Sequence, residues 1–537
     1  MSFACAPRYS AILHRFTATQ RPFRGTFLVA SMVVCASAGP SSSALPAWPL
    51  NHGEASGGGP PATTLWLDVT AYGARGDNHT DCTIAIYAAL AAAAAASAPA
   101  TVVLPAPGVY LSQPLLLNGA TQLTLRIEAG ATLASVGVAL AHSARWPIVP
   151  NLYPANESLA VRAKQHGMYA PILWLARCTD VVVEGGGIVD GRGDGGWWQS
   201  VTYDVYAKDP NASCPDPNCR GCHGSCPDRP RLFLADSSRM VSVRSVTFKN
   251  SPFWTVHFYN SSDVYVGGIV IDNPAGAPNE SSPIPFVRQY GYGPNADGID
   301  VEHSQRVLIE DCSIRCGDDA ICLKAGFTRS ALPATSDVLA RRNVVHTSCP
   351  HVPGLTVPRA AGANDGCGGI KLGYGTHSGI QNVLFEDNRV DFAGLAIKVS
   401  SHQGEGGRVR NISFHRTTVI ESGIAINVDL GIVPGKSNLS QLSSVNGLTI
   451  VNFSASHSIA CLPSVERGFY CGGAGCLIGN EHEPLGNITL ENVSISPRDH
   501  AAWPTIGWLC NDAGAVAASG VSPAVCSHGD VFSCSET

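Results

Sequence analysis

Charge is what this chain has least of: Asp, Glu, Lys and Arg make up only 14% of 537 residues, and the formal sum is −6. So few charges, among frequent Gly, Asn, Ser, Thr and Val, exclude a disordered tail, a coiled coil and a helical bundle. The acidic balance also excludes a basic nucleic-acid-binding protein. Long apolar runs are lacking as well. Beyond the first 38 residues nothing is long enough to cross a bilayer, which excludes a polytopic membrane protein. What is present, 45% hydrophobic residues and 56 Gly, fits many short strands joined by tight turns.

Residues 1–38 read as a signal peptide, with Arg8, Arg15, Arg21 and Arg24 ahead of an apolar run from Phe27 to Val34 and a small-residue cleavage site at Ala36-Ser37-Ala38. Its removal takes four arginines and no acid, lowering the net charge from −6 to −10. The mature chain is then acidic, secreted and free of any membrane segment, and an acidic polymer needs a locally basic cleft. Of the 19 cysteines, 17 remain, and in an oxidising compartment they predict disulfides with one thiol left over. Cys214, Cys219, Cys222 and Cys226 predict a pinned loop rather than a zinc site, since no second ligand pair is evident. Ten Asn-x-Ser/Thr sequons agree with a secretory route.

Residues 39–64 are a Pro-, Ser- and Gly-rich leader. From about Leu65 a unit recurs: alternating apolar residues, a polar or Gly turn, then another apolar strand, as in Val181–Gly191, Val241–Ser251, Val264–Pro274 and Val307–Arg315. It returns at Val383, Ile412, Leu448 and Ile488. Such units cannot bury their apolar faces alone, and stacking them gives an all-β parallel β-helix with inward ladders. This domain spans 65–500, with a Cys-rich insertion at about 204–228 and a Cys-containing tail over 501–537. The Ala-rich stretch Ile84–Ala98, after Asp81 as a possible N-cap, predicts one short helix capping the N-terminal end.

The chemistry concentrates in Gly293-Pro-Asn-Ala-Asp297 and Gly317-Asp-Asp319. Asp297 and Asp318 are 21 residues apart, about one coil, so they sit on neighbouring rungs roughly 5 Å apart. Asp319 adjoins Asp318, and Gly317 permits a bend that turns both carboxylates to one cleft. Three clustered carboxylates cannot all stay ionised, so at least one becomes a proton donor, the division of labour that glycoside hydrolysis requires. Turn-forming Asp and a calcium site are the competing readings.

These segments, with Val69-Thr-Ala-Tyr-Gly-Ala-Arg-Gly-Asp77, Gly185-Gly-Gly-Ile-Val-Asp-Gly191, Asn250-Ser-Pro-Phe-Trp-Thr-Val-His257 and Gly369-Ile-Lys-Leu-Gly373, resemble glycoside hydrolase family 28, the polygalacturonase family, especially its plant-like and exo-type members. The resemblance covers about residues 66–500. It implies a right-handed β-helix and inverting hydrolysis of α-linked galacturonic acid in pectic polysaccharide, without metal or other cofactor and by a monomer. It makes Asp318 the general acid, with Asp297 and Asp319 activating water. Lys398, Lys324, Asn295 and His377 are candidate substrate contacts, His377 being equally a turn residue. Trp197, Trp198 and Trp254 are candidates for stacking on sugar or for packing.

Two departures stand out. The family's Gly-His-Gly is Cys367-Gly368-Gly369 here, and its Arg-Ile-Lys is Ala396-Ile397-Lys398. The lost arginine predicts weak binding of galacturonate, restored by Ala396→Arg. A non-catalytic carbohydrate-binding solenoid is the alternative; a calcium-dependent lyase fits the motif order less well.

Overall fold

The computed structural model describes residues 64–137, 146–152, 167–198, 227–275, 281–282, 291–326, 331–347, 367–401, 405–430, 442–458, 461–463, 470–472, 474–479, 485–497 and 507–525. Among them the chain forms a right-handed parallel β-helix. One column of side chains shows why. Val181, Val241, Val264, Val307, Val338, Val383, Ile412, Leu448 and Ile488 are partners in parallel register from coil to coil, and all are buried. No single coil has a core; stacking at the strand spacing creates it.

Each coil carries three strands, not the predicted two and a bend. In one coil they are Ile299–Glu302, Gln305–Glu310 and Ser313–Cys316, and the next repeats them as Ile321–Lys324, Thr335–Arg341 and Val344–Thr347. The sequence repeat is the second and third strands. The first escapes it because its outward positions carry His257, Asp300, Cys322 and Lys371 instead of a simple polar alternation.

The corners recur because backbone groups there need partners. Cys178, Ser238 and Ser261 each donate a backbone N–H to the Oγ of the corner serine one coil on, Ser238, Ser261 and Ser304, at 3.0–3.1 Å. At another corner Cys312 N–H donates to Asn343 Oδ1 at 3.0 Å, and Asn343 N–H to Asn388 Oδ1 at 3.1 Å.

These corners correct the cysteine reading. Cys82, Cys178, Cys312, Cys316 and Cys322 are free and buried, whereas Cys367, Cys476 and Cys510 are disulfide-bonded. Cys178 stands in the serine ladder, its thiol donating to Leu117 O at 3.2 Å, and Cys312 donates likewise to Glu310 O at 3.2 Å. They serve as small core residues with a weak donor. Burial pushes the Cys312 thiol up to about 12 and Cys316 and Cys322 above the usual range. Thiol titration should find these five unreactive in the folded protein and reactive once it is unfolded; labelling in the folded state would contradict their placement. The Cys214–Cys226 loop lies outside the described residues.

The predicted cap is an α-helix, Thr83–Ala94. The Asp81 carboxylate accepts from Thr83 N–H at 3.0 Å, and Ile86, Ala89, Leu90 and Ala93 face the first coils. At the other end the helix runs past the predicted boundary at 500. Trp508–Asn511 and Val516–Ser522 pair in parallel with Gly475–Ile478 and Gly486–Pro497, so these two segments of the tail supply strands. Among the described residues no helix is long and apolar enough to cross a membrane.

Candidate active site

The first strands of successive coils bring one outward column into register: Leu234, His257, Asp300, Cys322, Lys371, Lys398, Asn427 and Cys476. Apolar at both ends, it is ionic in the middle. Just ahead of those middle strands the chain bends, and staggered backbone bonds lock the bends together. Thr255 N–H donates to Asp297 O, Gly298 N–H to Asp319 O and Ala320 N–H to Gly368 O. Asp297, Asp319 and Gly368 therefore occupy one position on three neighbouring coils.

Asp297, Asp318 and Asp319 offer carboxylate oxygens that all lie within 4.8 Å of one another. The bend at Gly317 has a different cause from the one expected. Its φ is not left-handed; a Cβ there would lie 2.1 Å from Gly293 O, so the requirement is close backbone approach.

The three carboxyls have three environments. Asp319 is buried; its Oδ1 accepts from Gly368 N–H at 2.7 Å and its Oδ2 from Lys371 Nζ at 2.6 Å. Burial pushes this carboxyl up, but Lys371, Lys398 and Lys324 together hold it below the usual carboxylate range. Asp318 is partly exposed. Desolvation and the Asp319 charge raise it to about 6, against the pull of Lys371 and Lys324. Asp297 is 3% exposed, and desolvation with the charges of Asp318 and Asp300 carries it well above the ordinary range. Its Oδ1 has no hydrogen-bond partner among the described residues. The Asp318 charge is among the causes that raise Asp297, so the two carboxyls are costly to ionise together.

Lys324, a candidate substrate contact, is buried and ion-paired with Asp300, 3.8 Å from Asp297 Oδ2, with its ammonium 4.1 Å over the Trp254 ring. The structure thus places it beneath the trio. Lys398 is also buried, 5.0 Å over the Tyr374 ring that Lys371 covers at 4.6 Å. Asn295 is at the trio, Nδ2 donating to Asp318 Oδ2 at 3.1 Å. His377 is not: it follows the strand Gly368–Leu372 at the end away from Asp319, its Nδ1 2.7 Å from Glu405 O. Trp197 and Trp198 are fully buried packing residues; Trp254 is partly exposed and stacked on Phe253 at 5.3 Å.

Two residues correct the sequence reading. The sequence motifs assign Lys371 no role, yet it is the direct ionic partner of Asp319. Its signal was the apolar alternation Ile370-Lys371-Leu372, which repeats Ile397-Lys398-Val399 one coil on. A Cβ at Gly368 would lie 2.9 Å from Lys371 Cβ and 3.3 Å from Asp319 Oδ1, so Lys371 and a larger residue at 368 compete for one space. Ala396 is the second. It is fully buried in the apolar core, so an arginine there is driven inward. Ala396→Arg should lower stability by about 3–5 kcal/mol, the cost of an unpaired buried charge, without gaining galacturonate affinity. Thermal melting and oligomer binding check this; a folded variant that binds more tightly would contradict it.

Three carboxyls on adjoining coils, one bonded as a stable carboxylate and one partly exposed and raised to about 6, are the equipment of a glycoside hydrolase. Residues 155–457, more than half of the chain, match the family model for glycosyl hydrolases family 28, and the chain belongs to that family. Residues 66–124 match the model for rhamnogalacturonase A/epimerase, pectate lyase-like. A probable polygalacturonase from Vitis vinifera is 24% identical over 433 residues, 78% of this chain and 72% of the relative. An exopolygalacturonase from Zea mays is 22% identical over 397 residues, 73% of this chain and 77% of the relative. The crystal structure of a hyperthermoactive exopolygalacturonase from Thermotoga maritima superposes with a TM-score of 0.59 at 20% identity, covering 85% of this chain and 92% of that one.

Proposed function

We propose that this glycoside hydrolase cleaves α-linked galacturonic acid in pectic polysaccharide by inversion, outside the cell and as a monomer. The observation that carries the reading is the unequal treatment of neighbouring carboxyls: Asp318 is partly exposed and raised to about 6, while Asp319 is held ionised by Lys371. Asp318 gives its proton to the leaving glycosidic oxygen. Water is activated by Asp319, which Lys371 holds ionised, and is positioned by Asp297, whose unpartnered Oδ1 is left to bond it.

Inversion is favoured over a covalent intermediate because both Asp319 oxygens already accept hydrogen bonds, which weakens it as a nucleophile. The carboxyls are closer than the ~6.5–9.5 Å usual for inverting enzymes, so water is bound across the trio rather than between two facing groups. Lys398, next to Lys371 in the same column, adds the basic character that an acidic chain needs to hold a uronate carboxylate. A calcium-dependent lyase is disfavoured, since Lys324 and Lys371 already balance the trio's charge.

Purified protein incubated with polygalacturonate, rhamnogalacturonan and xylogalacturonan tests the reading. New reducing ends without new ultraviolet-absorbing double bonds support hydrolysis; binding without turnover would leave the carbohydrate-binding solenoid. N-terminal sequencing of secreted material tests cleavage after Ala38.

A further inference from the structure

Arg229 is buried at 8% exposure in the turn that leads to the strand Phe233–Asp236, two coils before Asn295 and three before Asp318, and has no part in the roles given above. Its Nη1 donates to the carbonyls of Pro252 and of Pro294, the latter at 2.7 Å, and its Nη2 donates to Asn295 Oδ1 at 2.9 Å. The guanidinium lies 5.1 Å over the Phe253 ring, which stacks on Trp254, and Trp254 in turn carries Lys324. Arg229 is therefore fixed in orientation, and it fixes Asn295 in turn.

We propose that Arg229 is a positioning residue for the general acid, acting through Asn295 to keep the Asp318 proton available to substrate. An asparagine side chain can flip, exchanging acceptor for donor. With Arg229 on its Oδ1, the Asn295 amide faces Asp318 only as a donor, and Nδ2 donates to Asp318 Oδ2. The other oxygen, Oδ1, accepts from Asp319 N–H at 3.0 Å. Neither neighbour can accept a proton from Asp318, so when the carboxyl is protonated its O–H is left for the glycosidic oxygen. Without Arg229 the amide is free to turn, its Oδ1 accepts the acid's O–H, and the proton is drawn away from substrate.

Asp318 also faces Asp319 on its own bend, Asp297 from the coil before, Lys371 from the coil after, and Lys324 and Cys316 beneath. None of these changes when Arg229 is replaced. The inference rests on Asp318 being the general acid, and that is checked separately: activity surviving Asp318→Asn would remove the reading itself.

With that loss in hand, Arg229→Met and Arg229→Lys are measured alone and combined with Asn295→Ala, using circular dichroism and melting to select folded variants. Arg229→Met should lower kcat by about 10- to 100-fold, part of the range a general acid supplies, with KM changed less than threefold. The alkaline limb of the pH profile should move upward, because the protonated acid gains a hydrogen-bond acceptor. Arg229→Lys, which keeps a donor and a charge, should recover part of kcat. In the Asn295→Ala background the Arg229 substitution should cost less than threefold, since the relay is already broken. An equal loss of kcat with and without Asn295, or an unmoved alkaline limb in a folded Arg229→Met protein, would overturn the inference while leaving Asp318 as the acid.

Discussion

Asp318→Asn should lower kcat on a pectic substrate by about 10²- to 10⁴-fold, the range lost with a positioned general acid, while KM changes little. The side chain is partly exposed and similar in shape, and the change removes one of three crowded carboxyls. The melting temperature should therefore stay constant or rise slightly. Activity also has a pH signature. Desolvation and the neighbouring Asp319 charge hold Asp318 at about 6, so wild-type turnover should decline as the pH rises past that value and the acid loses its proton. On the other side Asp319 stays ionised to below the usual carboxylate range, which places the optimum in mildly acid solution. Initial rates of reducing-end release across roughly pH 3 to 8 measure both limbs.

Lys371→Met should be nearly as damaging for a different reason. It removes the 2.6 Å ionic partner of a buried carboxylate and leaves three carboxyls facing Lys324 and Lys398. Without Lys371 the Asp319 carboxyl rises from its wild-type position, and the acid limb of the activity profile moves to higher pH. A loss of about 10²-fold or more in kcat/KM is expected below that limb, since the base is no longer ionised. Stability follows the same linkage. In the wild type the depressed Asp319 contributes stability at pH above its unfolded value, lost as pH falls through the folded one. With Lys371 gone that contribution shrinks, and the variant should lose less stability on acidification than the wild type. Melting curves at two pH values would show this; identical pH dependence in both proteins would rule out the pairing as a control on Asp319.

Much of this was legible in the sequence, for identifiable reasons. The second and third strands of each coil alternate cleanly, so Val181, Val241, Val264 and Val307 announce their ladder, and the spacing of Asp297 and Asp318 by one coil follows from it. The first strand was harder to read. Its outward residues are charged and buried, which period-2 alternation does not foresee, and this hid the pairing of Lys371 with Asp319. Ala396 misled because a bend ahead of Ile397 turns it inward, where a straight strand would face it to the cleft. The corner cysteines resembled disulfide partners because composition does not reveal that Cys178 shares a ladder with Ser238, Ser261 and Ser304. Arg229 lies 66 residues before Asn295, and only the stacking of coils brings them together.

The most direct measurement is the anomeric configuration of the first product. Purified protein is mixed with polygalacturonate in an NMR tube and the anomeric protons are followed before mutarotation equalises the two forms. Donation by Asp318 to the leaving oxygen, with water activated by Asp319 and positioned by Asp297, predicts that new reducing ends appear first as the β anomer. First appearance of the α anomer would show a retaining route, and no new reducing ends from any of the three pectic substrates would contradict the assignment of this trio to hydrolysis.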